Sequence, residues 1–481
     1  MIKLSDTIAA IATGMNQGGI GIIRVSGEKA IEITDSIFVP KKKGKEIQNL
    51  ESYTAAYGNI VEKKIEKDNL CGKVNSDDNE TYCDYDIIDE VIVLVMKAPS
   101  TYTKEDVVEI DCHGGMQVMK QILHLLMKNG ARLAEPGEFT KRAFLNGRID
   151  LSQAESVMDL ISAKSDLAAK SALSQLKGSL RNKIEDIRKK LIHNIAYIES
   201  ALDDPEHYSL DGFGDTLDEL LESKEQEICH LIATAEDGQM MKEGIHTVIL
   251  GKPNAGKSSV LNVLMGKERA IVTDIAGTTR DTLEEFISIN GIPLNIVDTA
   301  GIRDTEDVVE KIGVDKSLEA MQDADLILYI VDSSIPLDEN DYQIMEQIKD
   351  RQVIILQNKS DLKNVVTKED ILSHLDKPVI DISAKEKTGF EDFYKLLNDM
   401  FFHGHLSYND EVYITNMRHK EALEEALSSI QMVRESIADG MPEDFYSIDL
   451  MAAYERLGYI IGESLEDDLV DTIFREFCMG K

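Results

Sequence analysis

Eight consecutive residues, Gly251-Lys-Pro-Asn254-Ala255-Gly256-Lys257-Ser258, have the spacing of a phosphate-binding loop. Glycines let the backbone curl until its N–H groups point at phosphate. The helix expected from Ser259 to Met265 adds positive charge at its N-terminus. Lys257 can reach the β- and γ-phosphates, and the Ser258 hydroxyl can ligate Mg2+. Asp298-Thr299-Ala300-Gly301 ends the next buried strand; its Asp suits the Mg2+ shell, and Gly301 can offer an N–H to a γ-phosphate. Asn358-Lys359-Ser-Asp361 and Ser383-Ala384-Lys385 each follow a further apolar strand. Open α/β sheets bind ligands at the carboxyl ends of their strands, where all of these motifs fall. The base follows from hydrogen-bond chemistry. Guanine shows N1–H and N2–H2 donors on one edge, and the acceptor-only carboxylate of Asp361 takes both. Adenine would leave that carboxylate unpaired at N1. Lys359 can lie along the base plane and the Ala384 N–H can meet the guanine carbonyl, so GTP is expected over ATP.

Three zones of the chain must position these residues. Residues 1–146 mix short β-rich runs (Ile20–Val25, Val91–Met96, Val107–Asp111) with turns, and a polar, acidic stretch over 64–86 reads as a long exposed loop. Residues 147–238 switch to helix periodicity. Ser152-Gln-Ala-Glu155 has a capping-box pattern. Leu173, Leu176, Leu180, Ile184, Ile187, Leu191, Ile195, Ile198 and Leu202 recur at spacings of three and four, predicting one long helix with an apolar face. Residues 164–190 carry a basic run, whose bland reading is a solvated face. Residues 239–402 alternate apolar runs (Thr247–Leu250, Ile292–Val297, Leu326–Val331, Val353–Leu356, Val379–Ile382) with amphipathic stretches, the rhythm of a parallel α/β domain. Phe286–Ile289 and Ile292–Val297 read as a hairpin through Asn290-Gly291. Residues 403–481 return to helix periodicity. The simplest architecture is an α/β domain inserted into a helical domain, preceded by an α+β domain.

Composition narrows the class. Lys and Arg number 52 against 88 Asp and Glu, a net charge of −36, which argues against gripping nucleic acid by bulk positive charge. Cys71, Cys83, Cys112, Cys229 and Cys478 show neither a disulfide framework nor zinc-type pairing. Asp6 interrupts what a signal peptide needs to be apolar, and no apolar run approaches about 20 residues. A cytoplasmic protein without a membrane segment is expected.

The central domain resembles the translation-factor-like GTPases, with Gly277-Thr278-Thr279-Arg-Asp281 as switch I and Thr279 as the Mg2+-sensing threonine. Ile302 stands where Ras-like enzymes carry a water-orienting Gln. The whole chain is similar to the MnmE (TrmE) family of tRNA-modification GTPases. The resemblance is carried by Asp6-Thr-Ile-Ala-Ala, Gly18–Gly27, Tyr102-Thr-Lys-Glu-Asp-Val-Val-Glu109 through Gly115, Arg132–Leu151, and the terminal Cys478-Met-Gly-Lys481.

It implies a multidomain protein: an N-terminal α+β tetrahydrofolate-binding and dimerisation domain (1–146), a helical domain in two parts (147–238 and 403–481), and an inserted α/β P-loop GTPase domain (239–402). Arg24, Glu109, Arg148 and Lys481 map onto folate contacts, and Cys478 onto a thiol near them. Arg24 as a surface ion pair, Glu109 as a solvent-facing strand residue and Cys478 as a small buried hydrophobe are the plainer alternatives. His113 reads as an incidental turn residue. GTP contacts would come from 254–259, Thr273-Asp274-Ile275-Ala276-Gly277-Thr278-Thr279, 298–301, Asn358, Lys359, Asp361 and 383–385. Resemblance to potassium-activated GTPases implies K+ held by Asn254, Thr273, Ile275 and Thr278, with Glu310 as the catalytic glutamate. The family acts as a homodimer with the flavoprotein MnmG, which holds the FAD, and adds an aminomethyl or carboxymethylaminomethyl group at C5 of the wobble uridine of certain tRNAs, with the folate as one-carbon source. The competing reading is a ribosome-assembly GTPase, which would want a basic RNA-binding module.

Overall fold

The computed structural model describes residues 6–14, 18–42, 44–63, 85–267, 284–289, 291–297, 324–402, 412–463, 467–475, 477 and 480. The chain divides into two compact units, Met1–Ala154 with Gly462–Lys481, and Glu155–Ile461.

The first unit is built on a seven-stranded sheet of β1 (Ile8–Ile11), β2 (Ile20–Ser26), β3 (Phe38–Pro40), β4 (Thr54–Lys63), β5 (Tyr85–Met96), β6 (Val107–His113) and β7 (Arg132–Leu133), in the order β3-β4-β5-β6-β2-β1-β7. Alternation along β2, β5 and β6 sends Ile23, Val25, Val93, Val95, Val108 and Ile110 into a core shared with the helix Met116–Lys128. The opposite face of β2 and β6 carries Arg24 directly across from Glu109. The signature segment 132–151 supplies a buried ion network. Glu138 accepts from Arg132 Nη2 at 2.6 Å and Arg142 Nη2 at 2.9 Å, and Arg142 Nη1 reaches Glu105 at 3.0 Å. Burial pushes the Glu138 carboxyl up, but Arg132, the Glu135 N–H and Arg142 together hold it below its ordinary value.

The second unit contains a six-stranded sheet of β8 (Ile245–Leu250), β9 (Glu284–Ile289), β10 (Ile292–Val297), β11 (Leu326–Asp332), β12 (Val353–Asn358) and β13 (Val379–Asp381), ordered β13-β12-β11-β8-β10-β9. Every pairing is parallel except the β9–β10 hairpin. Strands β11 and β12 are buried throughout, as a sheet covered on both faces requires. The apolar stripe starting at Leu173 does not form one helix. Gly178, at φ +89°, separates Asp166–Leu176 from Ser179–Asp203, and Leu173 and Leu202 are exposed. Leu180 through Ile198 join the helices Phe213–Ala233, Met417–Ala438 and Glu443–Ile461 in one core. The basic run is partly structural: Arg188 is buried against Tyr454, and Lys190 pairs with Asp186.

The capping pattern also resolves differently. Asp150, two residues earlier than Ser152, accepts from the Gln153 N–H at 3.0 Å, while Gln153 Oε1 accepts from the Asp150 N–H at 3.1 Å. This starts the helix Leu151–Ser162 and leaves Glu155 for another role. Its carboxylate accepts from Arg418 Nη2 at 2.9 Å and Asn416 Nδ2 at 3.0 Å, and meets His419 Nε2 at 2.8 Å. Arg418 Nη1 donates to the Tyr459 carbonyl at 2.6 Å. One carboxylate thereby joins three helices of the second unit.

Burial pushes Glu155 up, but His419 and Arg418 hold it at about 2, against an ordinary 4.5. A depressed carboxylate contributes stability above its unfolded pKa and loses it as pH falls through the folded one. Glu155→Gln should therefore lower the unfolding free energy by about 3 kcal/mol near pH 7. The gap to wild type, measured by urea titration, should shrink as pH falls from 4.5 towards 2; a gap independent of pH would show that the carboxylate charge contributes nothing.

Candidate functional site

The phosphate-type loop leaves β8 and enters the helix Lys257–Lys267. Its backbone demands its residue types. Gly251 has φ +148° and Gly256 φ +99°; a Cβ at Gly251 would strike the Ile330 carbonyl, and one at Gly256 would strike Asn358 Nδ2. Asn254 holds the left-handed conformation, φ +63°, at the exposed crest of the loop. Lys257 folds back over the loop, donating to the carbonyls of Gly251 at 2.7 Å and Lys252 at 2.9 Å. Burial pushes the Lys257 ammonium down. Among the described residues no carboxylate pairs with it, so this is a desolvated cation held by the loop that surrounds it, which suits an incoming polyphosphate.

Asn358 links this loop to the other motifs. It is almost wholly buried at the end of β12. Its Nδ2 donates to the Ala255 carbonyl at 2.9 Å, and its Oδ1 accepts from the Ala384 N–H at 3.1 Å. The segment 383–385 follows β13, and Gly389 brings the chain close enough to Asp381 for Ser383 and Thr388 to exchange backbone hydrogen bonds. Asp361 is held from the same loop: Ser383 Oγ donates to it at 2.6 Å, and Lys385 Nζ lies 3.9 Å away. The Ser383 hydroxyl foremost, with Lys385 and Lys359 nearby, keeps the Asp361 carboxyl below its ordinary value, an ionised acceptor. Lys359, at φ +65°, sends its ammonium to Asp332 at 2.6 Å. Asp332 was not singled out in the sequence; its position where the wholly apolar run of β11 ends is the signal that marks it. Lys252 is likewise clamped, by Asp341 at 2.6 Å and Asp338 at 2.8 Å, which anchors the start of the loop.

Asn254, Ala255, Gly256, Lys257, Ser258, Ser259, Asn358, Lys359, Asp361, Ser383, Ala384 and Lys385 therefore surround the carboxyl ends of β8, β12 and β13. Thr273–Thr279, Asp298–Gly301 and Glu310 lie outside the described residues. Among the described residues no group of three His, Cys, Asp or Glu side chains is placed to hold a metal. A metal at this loop would be met by nucleotide oxygens together with the hydroxyl and amide oxygens that Ser258 and Asn254 can supply.

A second cluster lies on the sheet of the first unit. Arg24 Nε donates to Glu109 Oε1 at 2.8 Å, and its Nη1 reaches the Gly480 carbonyl at 3.4 Å. Gly480 sits so close to β1 that a Cβ would strike the Ile11 carbonyl. The terminal segment is seated further back by Gly137, where a Cβ would crowd Phe477. The Arg24 guanidinium lies 5.5 Å from the Tyr102 ring and 5.7 Å from that of Phe139; Arg148 lies 4.6 Å from the Tyr102 ring. Asp111, next on the same face of β6, is pushed up by burial and by the charge of Glu109. Arg24, Glu109 and Arg148 are thus brought together; Cys478 and Lys481 lie outside the described residues, though Gly480 between them reaches the cluster. The set holds a hydrogen-bonding carboxylate, two cations and an aromatic wall, which fits a pterin with an acidic tail. His113 bonds Asp89 at 2.6 Å. Among the described helices none is long and apolar enough to cross a membrane.

Comparison with known proteins agrees over the whole chain. Residues 7–148 match the family described as GTP-binding protein TrmE N-terminus, and residues 151–478 match the MnmE helical domain. The chain is 54% identical over 99% of its length to the whole of a tRNA modification GTPase MnmE from Lachnoclostridium phytofermentans. It is 48% identical over 99% of its length to the whole of the protein of that name from Clostridioides difficile. The protein of that name from Acetivibrio thermocellus is 49% identical over 99% of both chains.

Asn358→Ala removes the partner of one buried carbonyl and one buried N–H, each worth about 1–3 kcal/mol when left unpaired. The variant should unfold at least about 2 kcal/mol more easily in a denaturant titration that reports on the second unit. Wild-type stability would show that Asn358 does not hold the two loops together.

Proposed function

The chain belongs to the MnmE family of tRNA modification GTPases, and on that premise we propose that it is a potassium-activated GTP hydrolase that modifies C5 of the wobble uridine in certain tRNAs together with a flavoprotein of the MnmG kind. The added group is aminomethyl or carboxymethylaminomethyl. The domain division proposed is 1–146, 147–238, 239–402 and 403–481, in a homodimer working in the cytoplasm.

The observation that carries this reading is Arg24, bonded at once to Glu109 and to the Gly480 carbonyl, within a unit that also presents Arg148. A GTPase acting only as an assembly switch has no use for a second, carboxylate-and-guanidinium cluster joined by a segment as distant in sequence as Gly480. In this reading Glu109 takes the donors of a pterin edge, Arg24, Arg148 and Lys481 face acceptors or carboxylates, and Cys478 stands beside them. A bound tetrahydrofolate derivative would supply the one-carbon unit; flavin chemistry belongs to the partner's FAD. A net charge of −36 opposes gripping tRNA by bulk positive charge, so in this reading the MnmG-type partner carries most of that affinity. The wobble base lies in a single-stranded loop, where a base can be splayed out and reached.

At the other site, Asp361, Ser383 and Ala384 read guanine, with Lys359 along its plane. Lys257 and the N–H groups of 254–259 bind phosphates, assisted by 273–279 and 298–301. Ser258 and Thr279 hold Mg2+. The exposed amide of Asn254, joined by Thr273, Ile275 and Thr278, offers oxygens suited to a large, weakly hydrated cation. K+ there supplies the positive charge that an arginine finger provides elsewhere. Ile302 cannot orient water, so Glu310 does so, through a bridging water.

Wobble nucleosides from a strain lacking the protein, analysed by mass spectrometry, should lose the C5 aminomethyl and carboxymethylaminomethyl groups; unchanged nucleosides would contradict the tRNA assignment. GTP hydrolysis should be faster in KCl than in matched NaCl. Asn254→Ala should abolish that difference, and Glu310→Ala should slow hydrolysis without abolishing GTP binding. Equal rates of the wild type in the two salts would reject the potassium site.

A further inference from the structure

Arg24 and Arg148 come from distant parts of the chain, yet both guanidiniums lie against one ring, that of Tyr102. We propose that Tyr102 is the positioning residue of this cluster, setting both arginines toward a single ligand, a reduced folate on the reading above. The two cations are held very differently. Arg24 is fixed by the Glu109 carboxylate and the Gly480 carbonyl. Arg148 is exposed, and among the described residues no carboxylate pairs with it. Its guanidinium meets Tyr102 twice: the ring face at 4.6 Å, and the Tyr102 carbonyl, which accepts from Nη1 at 3.2 Å. A free arginine samples many rotamers, and fixing them before the ligand arrives lowers the cost of binding.

The ring can do this because it is itself fixed. The Tyr102 hydroxyl bonds Thr140 Oγ1 at 2.9 Å, and Thr140 is fully buried. The neighbours on either side are buried threonines. Thr101 donates to the Glu105 carbonyl at 2.6 Å, and Thr103 shares a 2.7 Å hydrogen bond with Ser26 on β2. Tyr102 therefore stands on a rigid stretch tied to the strand that carries Arg24. Arg24 is ion-paired with Glu109, so among the described residues of this cluster Arg148 is the cation without a carboxylate partner, suited to an acidic group of the ligand. The ring face, not the hydroxyl, makes the contact with both guanidiniums.

The test compares Tyr102→Leu, which removes the ring, with Tyr102→Phe, which keeps it. Two readouts are taken on the full-length protein: titration with tetrahydrofolate, and the rate at which phenylglyoxal labels Arg148, followed by peptide mass spectrometry without any ligand. Tyr102→Leu should weaken tetrahydrofolate binding roughly tenfold and speed labelling of Arg148 about threefold, and Tyr102→Phe, which loses the Thr140 bond but keeps the ring and the flanking Thr101 and Thr103 bonds, should lie much nearer wild type than Tyr102→Leu in both. GTP affinity should be the same in all three proteins. Unchanged Arg148 labelling in Tyr102→Leu would overturn the positioning role, as would a Tyr102→Phe variant as impaired as Tyr102→Leu. Faster labelling in Tyr102→Leu, with no tetrahydrofolate binding even by the wild type, would uphold the positioning role and reject the folate reading.

Discussion

The proposed nucleotide site depends on one buried side-chain amide. Asn358 touches no solvent to speak of, yet it decides where two loops stand relative to each other. Its donor holds the carbonyl of Ala255 in the phosphate loop, and its acceptor holds the N–H of Ala384 in the base loop. A side-chain amide offers both, uncharged and at fixed separation. Gly256 is glycine because the same amide lies where its Cβ would be. The distance between phosphate and base sites is thus set inside the protein before any nucleotide binds. Asp361 and Lys359 are then aimed from neighbouring turns by Ser383 and Asp332. Pre-organisation of this kind spares the entropy of ordering loops on binding.

The first unit follows the same logic with charge in place of an amide. Arg142 is almost completely buried, and Glu138 and Glu105 neutralise it. A chain rich in carboxylates can afford several such networks, and Glu155 with Arg418 and His419 is another. Much of the distinctive segment 132–151 is occupied in this way. Arg148, at its far end, is exposed, and among the described residues no carboxylate pairs with it. Glycines at 137 and 480 let the terminal segment approach the sheet, so a carbonyl from the end of the chain reaches an arginine on β2.

The parallel sheet was legible because strands buried on both faces read as unbroken apolar runs; β11 and β12 differ from expectation by only one or two residues at their ends. The turn at 251–256 is expected from its residue types, and Gly251, Asn254 and Gly256 do hold positive φ there. Other features were hidden. A single glycine with positive φ, Gly178, interrupts an apolar periodicity that continues unbroken across it. The cap at Asp150 lost out to Ser152-x-x-Glu155, which fits the same pattern, and only the tertiary demand of Arg418 shows why Glu155 is not free to cap. Asp332 acts on Lys359, far away in sequence, and is marked only by standing where the apolar run of β11 ends; Tyr102 meets two arginines from distant segments, which no local pattern reveals.

In the proposed function Asp361, kept below its ordinary value by Ser383 and placed through Asn358, reads the guanine edge. Titrating wild type and Asp361→Asn with GTP, ATP and xanthosine triphosphate tests it most directly. Wild type should prefer GTP. The variant presents a mixed donor and acceptor, so it should lose about 1.5–3 kcal/mol for each charge-assisted bond to guanine and prefer xanthosine triphosphate, whose C2 carbonyl accepts the new N–H. Equal affinity of the two proteins for GTP would contradict the account.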